Sequence, residues 1–237
     1  MNIISSKGNS NFDEEINSEI NFDFHIHSCY SADSLSSPES ITKLAKKKGL
    51  NAIAITDHNT IKGGLKAKSI DTDGLNVVIG AEINTDFGDL IGIFLNSEII
   101  SRDFGGVVDE IRDQDGLVVL PHPYRRKRFP SNELLKYVDI FEGLNARTSK
   151  ELNLKAEELA ISLKKPMICG SDAHFLFELG DVRNVVENML DYDEEELREK
   201  IMKTDVRMYA KHRPPIMRKT SVVLGAAVKK LKRFKIE

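Results

Sequence analysis

The segment FDFHIHS carries two histidines two residues apart, His25 and His27. In an extended strand, residues at that spacing face the same side, so both imidazoles can be offered to one ion at the strand end. The turn-forming SCYSADS follows, and Asp33 in it is either a further carboxylate ligand or a simple turn-capping acid. Four other segments repeat the pattern of an apolar run that ends in ionisable residues. They are AIAITDH with Asp57 and His58, VVIGAEI with Glu82, LVVLPHPY with His122, and MICGSDAH with Asp172 and His174. Charged groups at the end of a buried run are costly unless they have partners. Asp57 reads as an orienter of a ligand or as a structural acceptor. Glu82 is suited to bridging two cations, or else is an exposed strand-end acid. Five of the six histidines fall in these segments and only His212 lies outside them. Their joint placement points to a metal centre, and a His/carboxylate set without cysteine suits two or three divalent ions of the Zn, Mn or Fe kind.

Such a centre needs an architecture that brings strand ends together. Short apolar runs alternate with helical patterns: FDFHIH, AIAITD, VVIGAEI, DLIGIFL, LVVLPHP, VDIFEGLN and PMICGSD read as seven strands. Between them, SSPESITKLAKKKG reads as a helix capped by Ser37, with Pro38 at its first position and Gly49 as its stop. Ser149 to Lys164 reads as a longer helix. Strands apolar on both faces and separated by helices imply a parallel sheet covered by helices. His25/His27, Asp57/His58, Glu82, His122, Glu142/Asn145 and Asp172/His174 sit at the C-terminal ends of six different strands. In a (β/α) barrel those ends converge on one mouth, whereas an open sheet gathers ligands only at its switch point.

At 237 residues, 41% hydrophobic and 30% charged, the chain has the composition of one globular catalytic domain with tails. No apolar run approaches a membrane span, and the N-terminus lacks the basic and apolar regions of a secretory signal, so a cytoplasmic location is expected. Cys29 and Cys169 stand in no metal or disulfide spacing and read as small buried residues. Residues 1–20 read as a disordered leader, 21–204 as the catalytic barrel, and 205–237 as a basic, helical segment docked on it. Arg207 to Glu237 holds ten Lys/Arg against one acid. Within it, Val223, Ala227, Leu231 and Phe234 form an apolar stripe at helical spacing. This helix is read as a docking element, a dimer contact or a nucleic-acid-facing arm; the oligomeric state is open.

In order and spacing, FDFHIH, TDH, GAE, LPHP and SDAH resemble the motifs of the polymerase and histidinol phosphatase (PHP) family of metal-dependent phosphoesterases, over about Asp23 to His174. The resemblance implies an α/β fold, a distorted seven-stranded (β/α) barrel of the TIM-like, PHP type, with up to three metals at the strand ends. By the same resemblance His25, His27, Glu82 and Asp172 would hold the first metal. Glu82 would bridge to a second that also takes His122, and Asp33, His58 and His174 would hold a third. The chain departs from the family at FEGLN, where Glu142 and Asn145 stand in place of a His or Cys. That departure marks the second metal as the weakest. The implied activity is hydrolysis of phosphate esters by metal-activated water, with Asp172 or His174 protonating the leaving group.

Arg125, Arg126 and Arg128 follow His122 directly, and Arg147 follows the next strand. One or two of these guanidinium groups would grip a phosphate, and the rest are surface charge. The expected substrate is a phosphorylated small molecule, a nucleotide or an oligonucleotide phosphate. Two other readings stand beside it. One is an amide-cleaving metallohydrolase, against which the arginine cluster argues. The other is a non-catalytic metal-binding adaptor for nucleic acid or a protein partner, against which the nearly full ligand set argues.

Overall fold

The computed structural model describes residues 19–70, 74–125, 129–187, 192–203, 206–211 and 215–234. Among the described residues nine strands form one sheet: β1 (Ile20–Ile26), β2 (Ala52–His58), β3 (Asn76–Thr85), β4 (Gly88–Ile93), β5 (Leu117–Leu120), β6 (Ile140–Asn145), β7 (Met167–Gly170), β8 (Val182–Val186) and β9 (Arg207–Ala210). Seven helices accompany them among the same residues: α1 (Pro38–Lys47), α2 (Lys62–Lys68), α3 (Phe104–Arg112), α4 (Asn132–Leu135), α5 (Lys150–Leu163), α6 (Glu194–Met202) and α7 (Pro215–Phe234).

The strand order is β7-β6-β5-β4-β3-β2-β1-β8-β9. The sheet curls until its β7 end meets β1, where His27 N donates to Ala173 O at 2.8 Å and Ile26 pairs with Ala173. The result is a nearly closed barrel. The expected count of seven strands is corrected to nine, because β8 and β9 extend the sheet beyond β1 in antiparallel pairs. The expectation of a wholly parallel sheet is corrected too. β4 runs antiparallel to both β3 and β5, since only Asp86 and Phe87 separate β3 from β4, far too few for a parallel crossover.

Alternation along the strands sorts their side chains. In β2, Ala52 and Ala54 join the cluster inside the barrel with Phe22, Phe24, Val78, Ile91, Val119 and Ile140. Ile53 and Ile55 pack the other way, on Ile41 and Ala45 of α1 and Ala67 of α2. The same period puts His58 on the inner face and Asp57 toward α2. Register shifts in β1 between Asp23 and Ile26, and in β6 between Glu142 and Leu144, interrupt strict alternation where the polar residues lie. Bulges of this kind re-aim side chains beside functional sites.

The helix signals correspond to physical caps. Ser37 accepts from Ser40 N with Pro38 at the first helical position, and Ser149 accepts from Leu152 N. Asp193 caps α6, whose first turn holds Glu194, Glu195 and Glu196 next to the positive end of the helix dipole. Three sequence expectations need correction. Ile20, placed in the leader, is a buried residue of β1; residues 1–18 lie outside the described residues. Cys29 is exposed, because it sits in the turn after β1, whereas Cys169 is buried. The stripe Val223, Ala227, Leu231 and Phe234 faces outward, and α7 docks instead through Ser221, Gly225 and Val228. Among the described residues no helix is long and apolar enough to cross a membrane.

Lys164 ends α5 in the left-handed region at φ +53°. A Cβ is disfavoured there, so Lys164→Gly should raise stability by about 1 kcal/mol in urea unfolding. A loss of stability would show that the Lys164 side chain outweighs the backbone term.

Candidate metal centre

All five barrel histidines reach one buried cluster. Ligand atoms of His25, His27 and Asp172 lie within 4.8 Å of one another, as do those of His25, Glu82 and His122, and those of His27, His58 and His174. Glu82 stands at the centre. Its Oε1 is 2.9 Å from His122 Nε2, and its Oε2 is 3.1 Å from His58 Nδ1, 3.4 Å from His27 Nε2 and 3.7 Å from His25 Nε2. Asp172 Oδ1 lies 3.5 Å from His27 Nε2 and 3.4 Å from His174 Nδ1. Asp33 completes the outer side, 3.5 Å from His58 Nε2 and 3.4 Å from His174 Nε2.

Most of these separations exceed a hydrogen bond, and several buried nitrogens have no partner. His25 Nε2, His27 Nε2 and His58 Nδ1 are unsatisfied, as is Asp33 Oδ1. Orphaned buried polar atoms are rare because each carries a desolvation cost of about 1–3 kcal/mol. Here they converge on one another, which is the geometry of donors arranged around cations.

In two of these rings the opposite nitrogen is tied off. His25 Nδ1 lies 2.8 Å from Glu142 Oε1, and His27 Nδ1 lies 3.2 Å from Ser31 Oγ. A ring N–H donated this way fixes the tautomer and leaves the opposite lone pair for a cation. Glu142 Oε2 also accepts from His122 N at 2.7 Å and Asn145 Nδ2 at 3.0 Å, and Asn145 Nδ2 reaches Asp172 Oδ2 at 3.2 Å. Glu142 and Asn145 therefore hold other site residues in place. Asp57 does the same from the α2 side, accepting from Ser28 N at 2.7 Å, Ser28 Oγ at 2.5 Å and Ser31 Oγ at 2.6 Å. Two glycines make room for these acids. A Cβ at Gly170 would stand 1.9 Å from Glu142 Oε1, and one at Gly63 would stand 1.9 Å from Asp57 Oδ2.

Burial opposes charge on every one of these groups, and at Glu82, Asp172, Asp33, His58 and His25 the neighbours override it. Glu82 is held well below the carboxylate range by His58, His122 and His25, and Asp172 by Arg125 and His25. The nearby imidazoles of His174 and His58 hold Asp33 low as well. His58 is pushed up to about 10, chiefly by Glu82, and His25 well above its usual value by Glu142 and Asp172. His27 goes down, because repulsion from His174 and His58 adds to burial. Asp23, beneath the cluster, is raised to about 6 by burial while its Oδ1 accepts from Ser171 N and His25 N. The backbone is strained at two site residues, His122 at φ +30° and Asp172 at φ +51°.

Arg125 Nη1 donates to Asp172 Oδ2 at 2.7 Å, and Arg147 Nη1 lies 2.5 Å from His174 Nδ1 and 3.6 Å from Asp172 Oδ1. Two of the four arginines singled out from sequence thus reach the mouth, while Arg126 and Arg128 lie outside the described residues. Sequence reasoning missed Ser31 and Glu178. Glu178 Oε2 accepts from His174 N at 2.9 Å and Phe175 N at 3.0 Å, fixing the turn that presents His174. A lone acid inside the apolar run FLFELG was the available signal.

Barrel, strand-end acids and inward imidazoles together form a candidate metal centre. The chain belongs to the PHP domain family, whose model matches residues 23–204. It is 38% identical over 171 residues to the uncharacterized protein MJ0417 of Methanocaldococcus jannaschii, covering 67% of each chain. Among solved structures it resembles a two-domain protein of Bacteroides vulgatus containing a predicted PHP-like metal-dependent phosphoesterase. There the TM-score is 0.70 at 19% identity, over 82% of this chain and 65% of that one. It also resembles the lesion-specific endonuclease PfuEndoQ of Pyrococcus furiosus, with a TM-score of 0.61 at 20% identity over 81% of this chain and 58% of that one. At these identities the structural likeness speaks for the fold.

Glu142→Ala should weaken cation binding about 10–100-fold by calorimetry, since it frees the His25 ring. An unchanged affinity would show that Glu142 does not act through His25. Adding Mn²⁺ at a thousandfold excess over its Kd should stabilise the fold by about 4 kcal/mol, and a chelator should reverse this. A melting curve indifferent to both would count against a cation site here.

Proposed function

We propose that the protein is a metal-dependent phosphoesterase acting on a small phosphomonoester, a nucleotide or an oligonucleotide phosphate. The observation that supports this best is the set of orphaned buried imidazole nitrogens facing Glu82 and Asp172, with two guanidinium groups at the same mouth. In this reading His25, His27, Glu82 and Asp172 hold one cation, Glu82 and His122 a second, and Asp33, His58 and His174 a third. When bound, such cations supply Lewis acidity and lower the pKa of water toward ~7.

The chain's own residues do the rest. Arg125 and Arg147, now on Asp172 and His174, line with them a cavity of about 340 Å³ over the site, and a guanidinium carries the bidentate geometry that a phosphate accepts. Asp172 is held well below the carboxylate range and has no proton to give, so of the two residues it is His174 that can pass a proton to the leaving oxygen. Glu142, Asn145, Asp57 and Glu178 take no part in the chemistry and keep the reacting set in register. A neutral amide would have no use for the paired guanidinium groups. The structural hold on Glu142 and Asn145 leaves the second cation with fewer protein ligands than its neighbours.

Mn²⁺-loaded protein should hydrolyse p-nitrophenyl phosphate, and His58→Ala and Asp172→Asn should each lower kcat/KM by about a hundredfold or more. Equal activity in the parent and both variants would sink the mechanism.

A further inference from the structure

α7 lies across the barrel mouth and is fastened to the segments that bear the site. Lys232 Nζ donates to the backbone oxygens of Cys29 at 2.8 Å, Ser31 at 2.7 Å and Ser34 at 2.7 Å, which fixes the loop carrying Asp33. The Ser221 hydroxyl donates to Glu178 Oε1, the acid whose other oxygen holds His174. Arg218 Nη1 donates to Thr148 O at 3.1 Å, one residue after Arg147. Gly225 faces the site: a Cβ there would sit 3.4 Å from Asp33 O and 3.9 Å from Arg147 Nη2.

Between helix and barrel remains a cavity of about 340 Å³. Its floor includes Asp33, His58, Glu82, Asp172 and His174, and its roof is Val222, Gly225, Ala226 and Lys229 of α7. That volume is near the lower end of ligand sites, which run from about 300 to 1,000 Å³. It matches a phosphate with one ring, whereas a run of nucleotides would have to extend out of it past α7. The roof is mostly small and apolar, and Lys229 is its one charge. Among the described residues this ammonium makes no ion pair or hydrogen bond, so it is available to a ligand. An ester whose phosphate rests on the floor points its leaving group at this wall.

We propose that α7 is a substrate-selecting roof, confining the site to small phosphomonoesters, and that Lys229 recognises a second anionic group on the leaving group. This rests on the phosphoesterase reading and adds the substrate class to it.

The test uses full-length Mn²⁺-loaded protein and two matched pairs of probes. Benzylphosphonate and 4-carboxybenzylphosphonate, which cannot be hydrolysed, are compared by calorimetry; phenyl phosphate and 4-carboxyphenyl phosphate are compared by kcat/KM. The carboxylated member of each pair should be favoured about fivefold, the size of a good exposed ion pair, and less so at high salt. Lys229→Ala should abolish the preference and Lys229→Glu should reverse it; Lys229 is exposed, so neither change disturbs the core. Equal binding of the phosphonates, or a preference untouched in Lys229→Glu, overturns the role of Lys229. A short 5′-phosphorylated oligonucleotide turned over as fast as phenyl phosphate overturns the confinement. Loss of all hydrolysis with the phosphonate preference intact would refute the phosphoesterase reading while supporting the recognition by Lys229.

Discussion

The bond from His27 N to Ala173 O is the contact on which the site depends. It draws the end of β7 against β1 and turns a strip of strands into a near-closed ring. Without that closure Asp172 and His174 would lie at one edge of the sheet, and His25 and His27 several strands away. The ring brings their ligand atoms within a few ångströms, so residues separated by more than a hundred positions share one environment. Closure is also why Glu82 and Asp172 are held well below the carboxylate range despite full burial: each meets imidazole or guanidinium groups from remote parts of the chain.

The site is built in two layers, and the inner one is only as good as the outer. His25 leans on Glu142, and Glu142 fits because Gly170 has no side chain to displace it. His27 leans on Ser31, which is held by Asp57, which in turn occupies the space left by Gly63. The strained backbones at His122 and Asp172 belong to this pattern. Each is a position where the surroundings, including the bond from His122 N to Glu142, over-determine a conformation the chain would otherwise avoid.

Much of this was legible from sequence for a definite reason. A buried strand ending in His or Asp is anomalous in a core, so FDFHIH, ITDH, LPHP and GSDAH announce themselves without any partner being known. Of the orienting residues, Asp57 and Glu142 stand at strand ends and could be singled out in the same way. Ser31 and Glu178 are ordinary polar residues until a remote segment comes to meet them, and no strand period records that meeting. β8 and β9 are short, with β9 half exposed, so neither carries the strong apolar run that marked the others. β4 was legible as a strand but not in its direction, which the two-residue connection decides. α7 misled for a further reason. An amphipathic helix is expected to dock by its apolar side, but the surface waiting here is a polar mouth, so the helix offers it serine, glycine and the end of a lysine.

That last arrangement has a consequence for assembly. Lys232 reaches a loop 201 positions earlier in the chain, whereas the strands of the ring are complete by Ala173. The segments that bear the His and Asp set therefore all precede α7 in the chain, and can gather at an open mouth before the helix docks across it. The order matters, because a hydrated ion enters an open mouth far more readily than it would pass beneath a docked helix.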